Sequence, residues 1–209
     1  MIKNILWDFD GVILNSMEIR DSGFEIIFKN FETSKVRSLL DYHRLNGGLS
    51  RYVKIKYFYE DILKRSITEE QVLQYASKFS EIMRKELVNP ENLILDAVGF
   101  IKENYTNFNF HIVSGSDQQE LRFLCEELNL SNYFISIHGS PTPKNKLVKD
   151  LLVKNNYIAA QTCLIGDSIN DWEAARNNKI GFYGYNNLEL KGFKQTFYIS
   201  SFHDFKLNR

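Results

Sequence analysis

Two aspartates separated by one residue, Asp8 and Asp10, close a short apolar run in Trp7-Asp8-Phe9-Asp10-Gly11-Val12. In extended chain, residues two apart point to the same side, so both carboxylates can reach one site, while Gly11 permits a tight turn behind them. Like charges this close are costly unless a cation lies between them or one holds a proton. A hard divalent cation such as magnesium, which prefers oxygen ligands, answers that need. The competing reading makes one aspartate a helix cap and the other a solvated loop residue.

Three further segments have the same form, an apolar run handing over to a helix start. His111-Ile112-Val113 leads into Ser114-Gly115-Ser116-Asp117, where a hydroxyl and backbone amides could hold an anion such as phosphate, or simply cap the helix. Gly139-Ser140-Pro141-Thr142-Pro143 delivers Lys144 to the next helix, where a point positive charge could hold both Asp8 and a bound phosphate. Lys146 and Lys149 follow closely, so Lys144 could equally be one of several solvated lysines, and the choice between Lys144 and Lys146 stays open. Last, Leu164-Ile165-Gly166-Asp167 precedes Ser168-Ile169-Asn170-Asp171, placing Asp167 at a strand tip and Asp171 one helical turn later. Both can give oxygens to one cation; helix capping accounts comfortably for only one of them.

The elements that must position these residues follow from apolar periodicity. Strands are expected at 2–8, 108–114, 134–138, 163–167, 180–185 and 196–199, with helices at 117–128, 144–155 and 169–178 between them. Alternation of this kind implies βαβ units, hence a doubly wound, Rossmann-like α/β fold with a parallel sheet covered on both faces. Between residues 15 and 89 the pattern is purely helical, with helices expected at 19–31, 51–64 and 68–86. Thr68 with Gln71 reads as a capping box, and Asn89-Pro90 ends the last of these helices. The chain is thus expected to divide into an α/β core, 1–14 and 90–209, and a helical insert, 15–89, with hinges near 13–16 and 89–93.

Composition narrows the function class. The 209 residues are 44% hydrophobic, enough for a packed core, and 26 basic residues balance 26 acidic ones. No net field draws such a chain onto nucleic acid. No stretch approaches the roughly 18 apolar residues of a membrane span, and the charged start of the chain does not resemble a signal peptide. Cys125 and Cys163 fall in buried-type segments, which fits a reducing, cytoplasmic setting; a monomer is the default expectation.

The four segments, taken in order, resemble the haloacid dehalogenase superfamily over essentially the whole chain. Asp8 to Gly11 match its Asp-x-Asp-Gly motif, Ser114 its strand-end hydroxyl, Lys144 its lysine, and the stretch from Gly166 to Asp171 its acidic turn. The insert is similar to the helical cap of the family's first cap class, and its Leu45-Asn46-Gly47-Gly48-Leu49-Ser50-Arg51 segment resembles a specificity loop. The resemblance implies a phosphatase for a small phosphorylated metabolite. In that scheme Asp8 is the nucleophile, Asp10 the general acid and base, and Ser114, Gly115 and Lys144 the phosphate cradle. Magnesium would be held by Asp8, the main-chain carbonyl of Asp10, and Asp167, with Asp171 helping directly or through water.

Within the superfamily, a phosphomutase has the same acids and the same cap, and the motifs do not separate it from a phosphatase. Asp10 argues against a dehalogenase. Arg51 stands where a phosphonatase would carry its Schiff-base lysine, although Lys54 and Lys56 are near, and a non-catalytic binding module would not require both Asp8 and Asp10. Arg51 is the candidate for a second anionic or hydroxyl group of the substrate, against the alternative of a surface salt bridge; His43 and Arg44 flank the same loop. The aromatic group Tyr52, Tyr57, Phe58 and Tyr59 reads mainly as helix packing.

Overall fold

The computed structural model describes residues 1–207. Its frame is a sheet of six parallel strands: β1 (Asn4–Trp7), β2 (Asn109–Asp117), β3 (Ser136–Ser140), β4 (Thr162–Gly166), β5 (Gly181–Tyr185) and β6 (Thr196–Ile199). The strand order is β3-β2-β1-β4-β5-β6, so the chain reverses its direction of travel across the sheet between β1 and β4. Open α/β sheets bind ligands at such a reversal, outside the carboxyl ends of the strands.

Alternation along β1 explains why the sheet is covered on both sides. Ile5 and Trp7 join Phe110, Ile112 and Ile165 in one apolar cluster, packed under α5 (Leu95–Asn104) and α6 (Gln118–Glu127). Leu6 faces the other way, with Val113 and Leu164, against α7 (Lys144–Lys154) and α8 (Ile169–Asn177). Trp7 anchors the first face, meeting the Phe110 ring edge-on at a centroid distance of 5.4 Å.

All helices between β1 and α5 leave and return through two segments tied side by side. Asn15 N–H donates to Asn92 O at 2.7 Å, and Ile94 N–H donates to Ile13 O at 2.9 Å. Between them run α1 (Met17–Ile27), α2 (Thr33–Leu45), α3 (Arg51–Tyr57) and α4 (Glu69–Glu86). Their shared interior is aromatic: Phe24, Phe28, Phe58 and Phe79 are all buried, and Phe28 and Phe58 approach to 4.2 Å. The capping box at Thr68 and Gln71 is formed.

All six expected strands form, β3 two residues later than expected, at Ser136–Ser140 rather than 134–138, and the elements differ from expectation in three further respects. β2 runs on to Asp117 through an irregular register, three residues past its expected end. The helix expected over 51–64 is α3 followed by a wide π turn, Phe58–Ile62. Two helices, α2 and α5, are additional; neither starts with a side-chain cap, and α5 contains Gly99, so their local signals are weak. No helix among the described residues is long and apolar enough to cross a membrane.

Candidate active site

Sheet register brings three of the four segments to one point. Trp7 pairs with Ile112 on one side and Ile165 on the other, so the next residue, Asp8, stands between the ends of β2 and β4. Its backbone N–H donates to Ile165 O at 2.9 Å, which fixes the strand tip. The fourth segment arrives through Lys144, whose Nζ lies 2.9 Å from Asp8 Oδ1 and also donates to Asp171 Oδ1. Lys146, by contrast, pairs with Asp150 on the exposed face of α7, which settles which lysine reaches this cluster.

Asp171 caps α8, one of the two roles that the sequence left open, and also holds Lys144. Its Oδ2 accepts from Ser168 N–H at 3.0 Å and Ser168 Oγ at 2.6 Å, completing the capping box of α8, while its other oxygen holds Lys144. Carboxylate oxygens of Asp8, Asp167 and Asp171 all lie within 4.8 Å of one another. Gly11 makes room for this: its φ is +74°, and a Cβ there would fall 1.9 Å from Asp167 Oδ2.

Three clustered carboxylates facing one lysine carry an excess of negative charge. Burial, and then the charge of Asp171, push the Asp8 carboxyl up to about 7, even though Lys144 opposes the shift. Burial together with Asp8 and Asp171 raises Asp167 well above the ordinary carboxylate range. Lys144 is stabilised as a cation: Asp171 and Asp8 outweigh the desolvation that burial imposes. Among the described residues no ion pair forms to Asp167. An all-oxygen set in which the Asp8 and Asp167 carboxyls are pushed up and Asp167 is uncommitted fits a hard divalent cation.

Ser114 is buried at the β2 end; its Oγ accepts from Ser116 N–H at 3.1 Å and among the described residues donates to no protein group. Asp10 is held apart from the carboxylate cluster. Its Oδ1 accepts from Ser16 Oγ and from Arg20 Nε, the latter at 2.7 Å, and its Oδ2 accepts from Ser116 Oγ. Against the effect of burial, Arg20 and the hydroxyls of Ser116 and Ser16 hold the Asp10 carboxyl below its ordinary value.

Beside Asp10 lies a cavity of about 20 Å³, lined in part by Arg20, Arg51, Lys54 and His43. Arg51 is 4% exposed, stacks 4.6 Å above the Phe79 ring, and donates to Ser80 Oγ at 2.7 Å. Its Nη2 and that of Arg20 are buried without an acceptor, so both could serve a ligand. Lys54 Nζ lies 2.7 Å from His43 Nδ1; burial and the charge of Arg20 bring its pKa down to about 7. Arg44 turns outward and pairs with Asp21. Among the aromatic group, Phe58 packs internally, Tyr57 stacks on Tyr42, and Tyr52 reaches across to Asp117 at 2.8 Å.

Ser16, Arg20 and Glu120 stand in no site motif of the sequence, and Ser116 and Lys54 enter it only as neighbours of Ser114 and Arg51. For Glu120 a signal existed: it shares the buried stripe of α6 with Leu121, Leu124 and Cys125, and a carboxylate there requires a counter-charge.

A family model described as haloacid dehalogenase-like hydrolase matches residues 5–185. No curated protein sequence matches the chain significantly. Among solved structures, the chain is similar to β-phosphoglucomutase from Clostridium difficile, with 16% identity and a TM-score of 0.76 over 99% of this chain and 94% of the other. It is similar to CbbY from Rhodobacter sphaeroides in complex with xylulose-(1,5)bisphosphate, with 15% identity and a TM-score of 0.77 over 98% and 96%. It is also similar to the magnesium-bound HAD-hydrolase YfnB from Bacillus subtilis, with 15% identity and a TM-score of 0.70 over 98% and 97%. At these identities the likeness concerns the fold.

Proposed function

The chain belongs to the haloacid dehalogenase-like hydrolase family, and on that premise we propose that it is a magnesium-dependent phosphatase acting on a small phosphorylated metabolite. The observation that carries this reading is Lys144 bridging Asp8 and Asp171 beside Asp167, at the sheet's reversal point. A phosphoryl group placed there meets a carboxylate nucleophile, a fixed cation and oxygen ligands for a metal.

In the first half-reaction a carboxylate oxygen of Asp8 attacks phosphorus, and the bond from phosphorus to the leaving oxygen breaks as Asp10 gives that oxygen a proton, which it takes up once the negative charge of the bound phosphate ester offsets Arg20. In the second, Asp10 takes a proton from water, which attacks the aspartyl phosphate, frees phosphate and restores Asp8. Ser114 Oγ–H, the Gly115 amide and Lys144 cradle the phosphoryl oxygens. Magnesium, held by Asp8, the Asp10 carbonyl and Asp167, with Asp171 helping directly or through water, would neutralise charge on those oxygens. Arg51 is assigned to a second polar or anionic group of the metabolite.

The same proposal divides the molecule into a catalytic core, 1–14 and 90–209, and a helical cap, 15–89, working as a cytoplasmic monomer. A panel of phosphate esters assayed for phosphate release, with and without magnesium, tests the reading. Metal-dependent release that Asp8→Asn abolishes supports it. Conversion of a sugar phosphate to its isomer without release would make the chain a phosphomutase instead.

A further inference from the structure

Glu120 lies on α6, outside the four strand-tip segments, and is completely buried. Its Oε1 accepts from Arg20 Nη1 at 3.2 Å, and its Oε2 stands 2.6 Å from Arg51 Nη1. Arg20 in turn donates through Nε to Asp10 at 2.7 Å. The result is a buried chain of alternating charge, Asp10, Arg20, Glu120 and Arg51, that runs from the loop after β1 through α1 and α6 to α3.

A guanidinium is planar and its donors point in fixed directions. With Nε committed to Asp10 and Nη1 to Glu120, the Arg20 fork has one orientation, and the Asp10 carboxylate has one partner geometry. Glu120 also meets Arg51, the first residue of α3, directly after the loop whose Gly48 lies against Gly115. Without the Glu120 charge, Arg20 can turn about Nε, and Arg51 is left buried with only Ser80 and the Phe79 ring as partners. One carboxylate therefore touches both the group that aims Asp10 and the group that docks the loop.

We propose that Glu120 is a positioning residue: it aims the Asp10 carboxylate through Arg20 and seats the 47–50 loop through Arg51, so that proton transfer to the leaving group is in register only while α3 is docked. This rests on the phosphatase reading, with Asp10 as the acid of the first half-reaction.

The test compares kcat/KM for two esters, a simple alkyl phosphate, whose leaving oxygen needs a proton, and 2,4-dinitrophenyl phosphate, whose leaving group departs without one. General acid catalysis contributes on the order of 100-fold or more where it is used, so Glu120→Gln should raise the dinitrophenyl-to-alkyl ratio of kcat/KM at least about tenfold. Arg20→Gln should raise it in the same sense, and Glu120→Asp should return part of the way. An equal loss on both esters, or no loss on either, overturns the proposal by reducing Glu120 to packing. If Glu120→Gln does not fold, Glu120→Asp decides the matter: a raised ratio supports the proposal, and an equal loss on both esters or none overturns it. A wild-type protein that hydrolyses neither ester would sink the phosphatase reading itself, a result distinct from an unchanged ratio.

Discussion

Gly48 and Gly115 meet backbone to backbone: a methyl group on Gly115 would lie 2.4 Å from the Gly48 carbonyl oxygen. One on Gly48 would lie 2.8 Å from Asn170 Cβ and 2.9 Å from Ser168 Oγ. The loop between α2 and α3 reaches the strand tips because both side chains are missing. Gly115→Ala keeps the amide that the proposed phosphate cradle uses but lifts the loop. A misplacement of about 1 Å costs on the order of 100-fold in rate, and a loss of that size in kcat/KM is expected here. Steady-state kinetics beside a thermal melt check it: the melting temperature should hold while the rate falls, and an unchanged rate would mean that the loop is not seated during turnover.

Lys144 is the sole cation paired with Asp8 and Asp171 among the described residues. Breaking a buried pair by removing one partner leaves uncompensated charge and typically costs about 3–5 kcal/mol. Lys144→Met should therefore lower stability in urea by roughly 3 kcal/mol as well as abolish turnover. Lys146→Met, on the exposed face of the same helix, should stay within about 0.5 kcal/mol of wild type and keep its activity.

The raised Asp8 pKa has a signed consequence for stability. Its value in the folded protein, about 7, lies above the ordinary 3.8, so the folded state favours the neutral carboxyl. That contribution is fully present below about pH 4 and is lost as pH rises through about 7. In the absence of divalent cations, the melting temperature should fall across this window. Bound magnesium competes with the proton, so it should remove the decline and bind more tightly at the alkaline end. Melts with EDTA and with magnesium at several pH values test both; a flat profile in EDTA would contradict the assignment of these carboxylates to a strained, cation-seeking cluster.

Much of the site is legible in sequence because strand tips carry short, local signals. Asp8, Ser114 and Asp167 each follow an apolar run and precede a helix, and parallel pairing alone brings their strands together. Lys144 is legible only as an alternative to Lys146, because nothing local says which face of α7 turns inward; the ion pair with Asp8 decides that. Arg20 and Glu120 meet across 100 positions of sequence, and neither stands in a pattern that announces its partner. Asp171 is a different case: its cap is legible from Ser168 three residues before it, whereas its contact with Lys144 joins two helices and carries no local signal.

The central claim is that Asp8 itself accepts the phosphoryl group. Rapid acid quenching after mixing with a reactive phosphate ester and magnesium, followed by peptide mapping, measures this directly. A hydroxylamine-sensitive phosphoryl adduct on the peptide containing Asp8, lost in Asp8→Asn, is the predicted result. Steady turnover by the wild type with no adduct on that peptide, or undiminished turnover by Asp8→Asn, would contradict it.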